Sequence, residues 1–217
     1  MKKEYILAVL FFSGLWGACE AVMGGVLYRA NIPYASVPLT AVGFVILTFA
    51  SVYFPQKGTA TLIASFAMLY KLLNAPFFAC HLLGIVVMGA SYDLFFSVLK
   101  PRTRWLSAVA ATYLNYAVFA VMITYVFRYS HWVQGGLPNV VRHIGLGGSV
   151  AALACAVLVP LSYRLAERLK ANYATPFAPA LVSTKKTLGR LQFVPGSLWA
   201  VTIASWAFGV VTHLVVH

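Results

Sequence analysis

The chain has 217 residues, of which 61% are hydrophobic and only 9% are charged. A soluble domain carries about 25% charged residues, so this composition excludes an ordinary water-soluble fold and predicts a protein embedded in a bilayer. The net charge of +12 does not require nucleic acid as a partner, because in a membrane protein the placement of Lys and Arg matters more than their sum.

Seven apolar segments follow one another along the chain, and most have the roughly 20 residues that cross the hydrocarbon core. The first continues past the length of a signal-peptide core and is interpreted as a retained transmembrane helix. The sequence therefore predicts an all-α polytopic membrane protein. Its segments are Tyr5–Leu27, Val37–Phe54, Gly58–Leu73, Phe77–Val98, Leu106–Val126, Ile144–Leu165 and Ser197–Val216.

The distribution of basic residues predicts the orientation. With the N-terminus in the cytoplasm, four of the 16 Lys and Arg residues fall on the outside, namely Arg29, Lys71, Arg128 and Arg142, and the other twelve fall inside. This asymmetry is what the positive-inside rule requires. We therefore expect a multi-pass protein of the cytoplasmic (inner) membrane.

The predicted outer loops, Tyr28–Ser36, Lys71–Pro76 and Arg128–Arg142, are rich in aromatic and amide side chains. An interfacial belt of Tyr and Trp explains the aromatic residues equally well. The amides and histidines are less typical of such a belt, so these loops are candidates for a binding surface.

Two acids lie within apolar segments, where a carboxylate usually faces a cavity or a partner. Glu20 lies about two thirds of the way to the outside and is a candidate for lining an outward-facing pocket. Asp93 lies closer to the inner end, where Lys100 or Arg104 could pair with it. A structural role is the alternative for both.

Small residues form a stripe along the first segment, with Gly14, Ala18 and Ala21 on one helical face. Such a face lets another helix approach closely. Packing within the chain and docking of a separate subunit both remain open.

The three cysteines differ in depth. Cys19 and Cys155 fall well inside their segments, where Cys commonly behaves as a small hydrophobe. Cys80 lies about one turn into a helix that is expected to begin near Pro76, and it is followed by His81. A helix N-terminus favours the thiolate, which is a soft ligand for a transition metal. Inert packing is the alternative.

A small membrane protein with a cytoplasmic N-terminus and about six core helices resembles the substrate-binding S-components of energy-coupling factor transporters. The stripe at Gly14, Ala18 and Ala21 is similar to the face with which S-components dock onto their shared transmembrane subunit. The run GASYDLFFSVLKPR (Gly89–Arg102) is similar to a stretch of their fourth helix. The resemblance implies an S-component-like membrane domain at residues 1–170, and hydropathy adds a cytoplasmic linker and a seventh, C-terminal transmembrane segment at 171–217.

Within that family, Cys80 in APFFAC looks like the cysteine with which cobalamin-specific S-components of the BtuM type bind the cobalt of vitamin B12. The resemblance implies uptake of cobalamin and no cofactor of the protein's own. Two modes stay open: partnership with the transmembrane subunit and ATPases of an energy-coupling factor complex, or stand-alone movement of the substrate down a gradient. The resemblance also implies that Cys80 assists decyanation of cyanocobalamin.

A pocket for a corrin should offer aromatic walls and amide or hydroxyl partners for the amide rim. Glu20 and His81 would complete such a pocket beside Cys80. The expected wall residues are Tyr28, Tyr34, Phe77, Phe78 and Trp132, and the expected rim partners are Asn31, Asn74 and Gln134.

Two features depart from the family pattern: hydropathy gives seven segments where S-components usually have six, and Lys2 replaces the histidine of nickel and cobalt-ion S-components. Two other functions stay open. An S-component for a different vitamin would leave Cys80 dispensable. A membrane haem or redox protein would draw its axial ligands from His81, His131, His143 and His213.

Overall fold

The computed structural model describes residues 3–30, 32–74, 79–99 and 103–172, together with residues 200, 203, 204, 206–208 and 211. It describes side chains for residues 5–27, 30, 32–71, 82–99 and 103–171 and for the same C-terminal residues. Within these ranges every regular element is helical, which confirms the all-α prediction.

Seven α-helices are described, and six of them coincide with the first six predicted segments. The π-helical turn Met122–Val126 follows α5, and the π-helical turn His143–Gly147 precedes α7. The helices are α1 Lys3–Arg29, α2 Ser36–Tyr53, α3 Thr59–Asn74, α4 Ala79–Val98, α5 Arg104–Val121, α6 Ser130–Arg142 and α7 Gly148–Asn172.

The prediction that Arg128–Arg142 is a loop is wrong, because most of this range forms the helix α6. This helix is too polar for a hydropathy search to find. Its backbone breaks at Gly136, whose φ of 55° suits glycine. Pro138 follows at the start of the second piece, where a missing N–H costs nothing. Val133, Leu137 and Val141 form an exposed apolar stripe along α6, which suits the lipid interface.

Six helices close into a ring in the order α1–α3–α4–α5–α7–α2, with α2 returning to α1. We call the end of the ring at which α1 ends the outer end, and the opposite end the inner end, in line with the predicted orientation. The helix α6 lies at the outer end, where it packs against both π-helical turns.

The membrane character is visible in the lengths and surfaces of the helices. Within the residues that the structure describes, four helical stretches are long and apolar enough to span a bilayer. On α7, the exposed side chains of Leu153, Val157, Leu161 and Leu165 recur every four residues and form an apolar stripe. An exposed stripe of this length faces lipid in a protein of this class.

Asp93 has a structural role at the inner end. Its carboxylate accepts hydrogen bonds from the backbone N–H and hydroxyl of Thr61 at 2.7 and 2.6 Å and from the N–H of Ala60 at 3.3 Å. It therefore caps the N-terminus of α3. The guanidinium of Arg104 lies over the ring of Tyr163 instead of pairing with Asp93.

The predicted seventh segment is described only at isolated helical residues. Among them, Trp206 donates a hydrogen bond from Nε1 to the carbonyl of Leu10 at 3.1 Å, and its ring lies 5.1 Å from that of Tyr70. This part of the C-terminal segment therefore packs on α1 and α3.

Candidate functional site: two cavities within one helical ring

A cavity of about 80 Å³ lies at the outer end of the ring. Its walls come from α1, the start of α2, the outer part of α4, the end of α5 and the π-helical turn before α7. The lining residues are Glu20, Ser36, Leu39, Thr40, Gly84, Ile85, Met88, Asn115, Tyr116, Phe119 and His143. We call this space the outer cavity.

Glu20 is one of the predicted site residues, and the structure places it in the wall of the outer cavity. Its carboxylate is 3.2 Å from the ammonium of Lys71 on α3, and both side chains are buried. Gly24, one turn further along α1, has the Lys71 and Glu20 head groups beside it. The pair neutralises two charges inside the bundle.

Lys71 corrects the sequence analysis, which counted it in an outer loop. It is 7% exposed and lies within α3, which continues to Asn74. The sequence contained a signal for this pair, because Glu20 and Lys71 lie near the outer ends of two segments that run in the same direction. A buried acid at that depth needs a cation at the same depth.

Asn115 on α5 was missed by the sequence analysis. Its side chain is 5% exposed and lines the outer cavity, and its Oδ1 atom has no hydrogen-bond partner within the described part of the chain. Nearby, the hydroxyl of Tyr116 donates to that of Ser36 at 3.2 Å. An unpaired buried carbonyl is costly, so Asn115 is available to a ligand that donates a hydrogen bond.

An aromatic cluster covers the outer cavity. The ring of His143 stacks on Tyr116 at 4.8 Å and meets Trp132 edge-on at 5.0 Å. Phe119 lies 5.5 Å from Trp132 and 5.6 Å from His143. Trp132, which was predicted as a wall residue, contacts Phe119 and His143, and these two side chains line the cavity. We call the four aromatic residues the cover.

The remaining predicted site residues divide into two groups. Tyr34 lies just before α2 with a φ of 59°, and its hydroxyl is 3.5 Å from the guanidinium of Arg142. Gln134 is exposed on α6. Outside the described residues or side chains lie Tyr28, Asn31, Asn74, Phe77, Phe78, Cys80 and His81.

The backbone of Cys80 is described, and it belongs to the first turn of α4. Position 80 precedes Gly84 by four residues and Met88 by eight, so the three positions share one helical face. Gly84 and Met88 both line the outer cavity. Position 80 is therefore about 6 Å further out along the wall of that cavity.

The predicted docking stripe lies on a partly covered face of α1. Gly14 is buried, and Ala18 and Ala21 are half-buried. Leu10, whose carbonyl binds Trp206, precedes Gly14 by one turn. The neighbouring Gly17 is in contact with the ring of Tyr70, which occupies the place of a Cβ atom. The described contacts of this helix are thus made within the chain.

A second cavity, of about 320 Å³, lies at the inner end and was not predicted. Tyr92 lines this inner cavity, whereas Met88, four residues earlier on α4, lines the outer one. Between the two cavities lie Trp16, Phe44 and Met88, which we call the septum. A Cβ atom on Gly43 would meet Met88 at 2.7 Å and Trp16 at 2.9 Å, so the septum is tightly packed.

Within the described part of the chain, no three His, Cys, Asp or Glu side chains are grouped closely enough to hold a metal ion. The fold and the four membrane-length helices define the class as a helical multi-pass membrane protein. Comparison of the chain with protein-family models, curated proteins and solved structures found no match.

Proposed function

We propose that the protein captures cobalamin at the outer end of its helical ring and moves it inward, in the manner of an S-component, with Cys80 as axial ligand to the cobalt. The observation that carries this proposal is the position of Cys80 on α4. Its backbone lies one turn beyond Gly84, on the α4 face that lines the outer cavity. A thiolate there would meet a ligand that enters from outside.

The lining of the outer cavity supports a ligand with both apolar and amide groups. Leu39, Ile85 and Met88 offer apolar contacts, and the unpaired Oδ1 atom of Asn115 is an acceptor for an amide N–H. A side-chain amide of the corrin rim supplies such a donor. The cover adds the flat rings against which a macrocycle would stack.

The volume of the outer cavity defines what binding requires. Pockets for small molecules usually enclose about 300–1,000 Å³, so a cavity of about 80 Å³ holds one side group of cobalamin and not the corrin itself. The cover must therefore open. Helix α6 suits such a motion, because it has a backbone break at Gly136 and a π-helical turn at its C-terminal end.

The same small volume favours a second candidate, an S-component for a smaller vitamin. Such a ligand would enter the outer cavity and contact Glu20 and Asn115 without any need for Cys80. The two candidates therefore differ in what removal of the thiol does.

The proposal includes an energy-coupling factor subunit as partner, as the resemblance to S-components implies, with stand-alone movement of substrate down a gradient as the alternative. Docking of an energy-coupling factor subunit on Gly14, Ala18 and Ala21 would bring it next to the Leu10–Trp206 hydrogen bond. If the C-terminal segment competes with the subunit for this face of α1, Trp206→Ala should strengthen co-purification with the subunit. If the C-terminal segment and the subunit bind separate surfaces of α1, co-purification should not change.

The test is the absorbance spectrum of purified protein with cyanocobalamin. We expect the wild-type protein to shift the spectrum to a base-off, sulfur-ligated form and Cys80→Ala to abolish this shift. The matched controls are Cys19→Ala and Cys155→Ala, which remove the two other thiols of the chain, one half-buried and one buried. Both controls should retain the shift.

Other results would redirect the proposal. If cobalamin binds to both the wild type and Cys80→Ala without a change in its spectrum, cobalt ligation by Cys80 is contradicted. Displacement of that cobalamin by a smaller vitamin would then favour the second candidate. For transport, cells that lack other routes of B12 uptake should depend on this protein for growth on low cobalamin. Growth without it would contradict the uptake role.

A further inference from the structure

The inner cavity combines a pocket-sized volume with a lining of net positive charge. Its volume of about 320 Å³ lies within the usual range for small-molecule pockets. It is bordered by the loop between α2 and α3, the end of α4, the start of α5 and α7. None of the residues predicted from the sequence to bind substrate belongs to it.

Three charged side chains line the inner cavity: Lys57, Arg104 and Asp93. The carboxylate of Asp93 is already engaged by the N–H groups and the hydroxyl at the start of α3. Among the described side chains, Lys57 and Arg104 have no carboxylate within ion-pair distance, and the single ion pair that is found joins Lys71 and Glu20. The lining therefore carries two cations against the one carboxylate of Asp93, and among the described side chains neither cation forms an ion pair.

The guanidinium of Arg104 is held in a defined orientation. Its central carbon lies 3.1 Å above the centroid of the Tyr163 ring. A guanidinium that packs over a ring with its face keeps its N–H donors in the plane directed away from that ring. Those donors match the oxygens of a phosphate, to which Arg binds in a bidentate manner.

The rest of the inner cavity is mixed, with the hydroxyls of Ser51, Thr59 and Ser97 beside apolar and aromatic side chains. Leu47 and Phe54 line it, as does Phe96, whose ring stacks on Tyr92 with centroids 4.0 Å apart. An apolar floor below a cationic margin suits an amphiphile with an anionic head. At the end of the bundle predicted to be cytoplasmic, anionic phosphates are abundant in the lipid leaflet.

We propose that the inner cavity binds a phosphate-bearing anion, with Arg104 and Lys57 contacting the phosphate oxygens and the aromatic floor receiving the apolar part. The phosphate belongs either to the headgroup of an anionic lipid or to a soluble phosphate compound. This proposal does not depend on cobalamin, because it uses none of the residues of the outer cavity.

The test measures the thermal unfolding of the full chain in detergent with three additions: dioleoylphosphatidylglycerol, dioleoylphosphatidylcholine or inorganic phosphate. We expect an anionic phosphate to raise the unfolding temperature and Arg104→Gln to weaken its apparent affinity about tenfold. The matched control is Arg164→Gln, which removes the same charge from an exposed position on α7 that does not line the cavity. It should bind as the wild type does.

The additions identify the source of the phosphate. Stabilisation by phosphatidylglycerol that Arg104→Gln loses supports a lipid headgroup, and stabilisation by inorganic phosphate that it loses supports a soluble compound. Equal weakening by Arg164→Gln, or equal stabilisation by phosphatidylcholine, would overturn the proposal. Lys57→Gln, a change at an exposed loop residue, provides the same test if Arg104→Gln fails to fold.

Discussion

The outer and inner cavities occupy opposite ends of the same helical ring but handle charge in opposite ways. In the outer cavity, Glu20 is neutralised by Lys71 within the bundle. In the inner cavity, Arg104 and Lys57 have no anionic partner among the described residues. The difference follows from the surroundings: a charge within the hydrocarbon region must be paired inside the protein, whereas a charge at the interface can be balanced by water or headgroups.

The septum is the structural boundary between the two cavities. Met88 and Tyr92 are four residues apart on α4 and line different cavities, so the separation at that wall is about 6 Å. Trp16 and Phe44 are fully buried in the septum.

The largest effect is expected from breaking the charge pair of the outer cavity. Glu20→Ala should lower the free energy of unfolding by about 3–5 kcal/mol, because it leaves Lys71 buried and uncompensated. The double substitution Glu20→Leu with Lys71→Met should recover most of this loss. Unfolding of the purified protein in graded denaturing detergent measures both.

The control for this prediction is Glu167→Gln on α7, where the acid is exposed and the change should cost no more than about 0.5 kcal/mol. If Glu20→Ala lowers the free energy of unfolding no more than this control does, the two cavities do not differ in whether a charge must be paired within the protein.

The second prediction concerns the septum. Gly43→Ala should destabilise the protein by about 1–3 kcal/mol, because the added methyl group would press against Trp16, which is fully buried and cannot move aside. Gly25→Ala on α1 is the matched control, since a Cβ atom there meets nothing within 4 Å. It should leave stability unchanged or raise it by about 0.5–1 kcal/mol. Thermal unfolding of both variants checks the difference.

An equal response of the two glycine variants would show that the barrier between the cavities is loosely packed. The contrast between the cavities would then lose its structural boundary.

The smallest effect is expected at Asn115, and its sign distinguishes binding from packing. Asn115→Leu removes an unpaired buried carbonyl and should stabilise the protein by about 1 kcal/mol, while weakening ligand binding at the outer cavity. Thermal unfolding and ligand titration measure the two effects. Loss of stability together with unchanged binding would instead make Asn115 a packing residue.

Much of the fold could be predicted from hydropathy, because a long apolar segment by itself indicates a helix that is buried in the membrane or in the protein. The first six predicted segments coincide with α1–α5 and α7 to within a few residues, apart from the inner end of α7, which continues to Asn172. Hydropathy did not predict helix α6, because its stability depends on packing at the outer end and not on an apolar run. Glu20 and Trp132 were predicted as site residues and do lie at the outer cavity or its cover. The assignments of Cys80 and of its neighbours outside the described side chains stay predictions.

The sequence by itself determined the class of the protein, the positions of most helices and the expected orientation, since these follow from local composition and from the placement of basic residues. Only the tertiary structure decided that Lys71 neutralises Glu20 from 51 residues away, that the Oδ1 atom of Asn115 has no partner among the described residues, and that two cavities lie at opposite ends of one ring. These features depend on which helices become neighbours. The pattern along one segment does not specify that, because every apolar helix face can pack against several others.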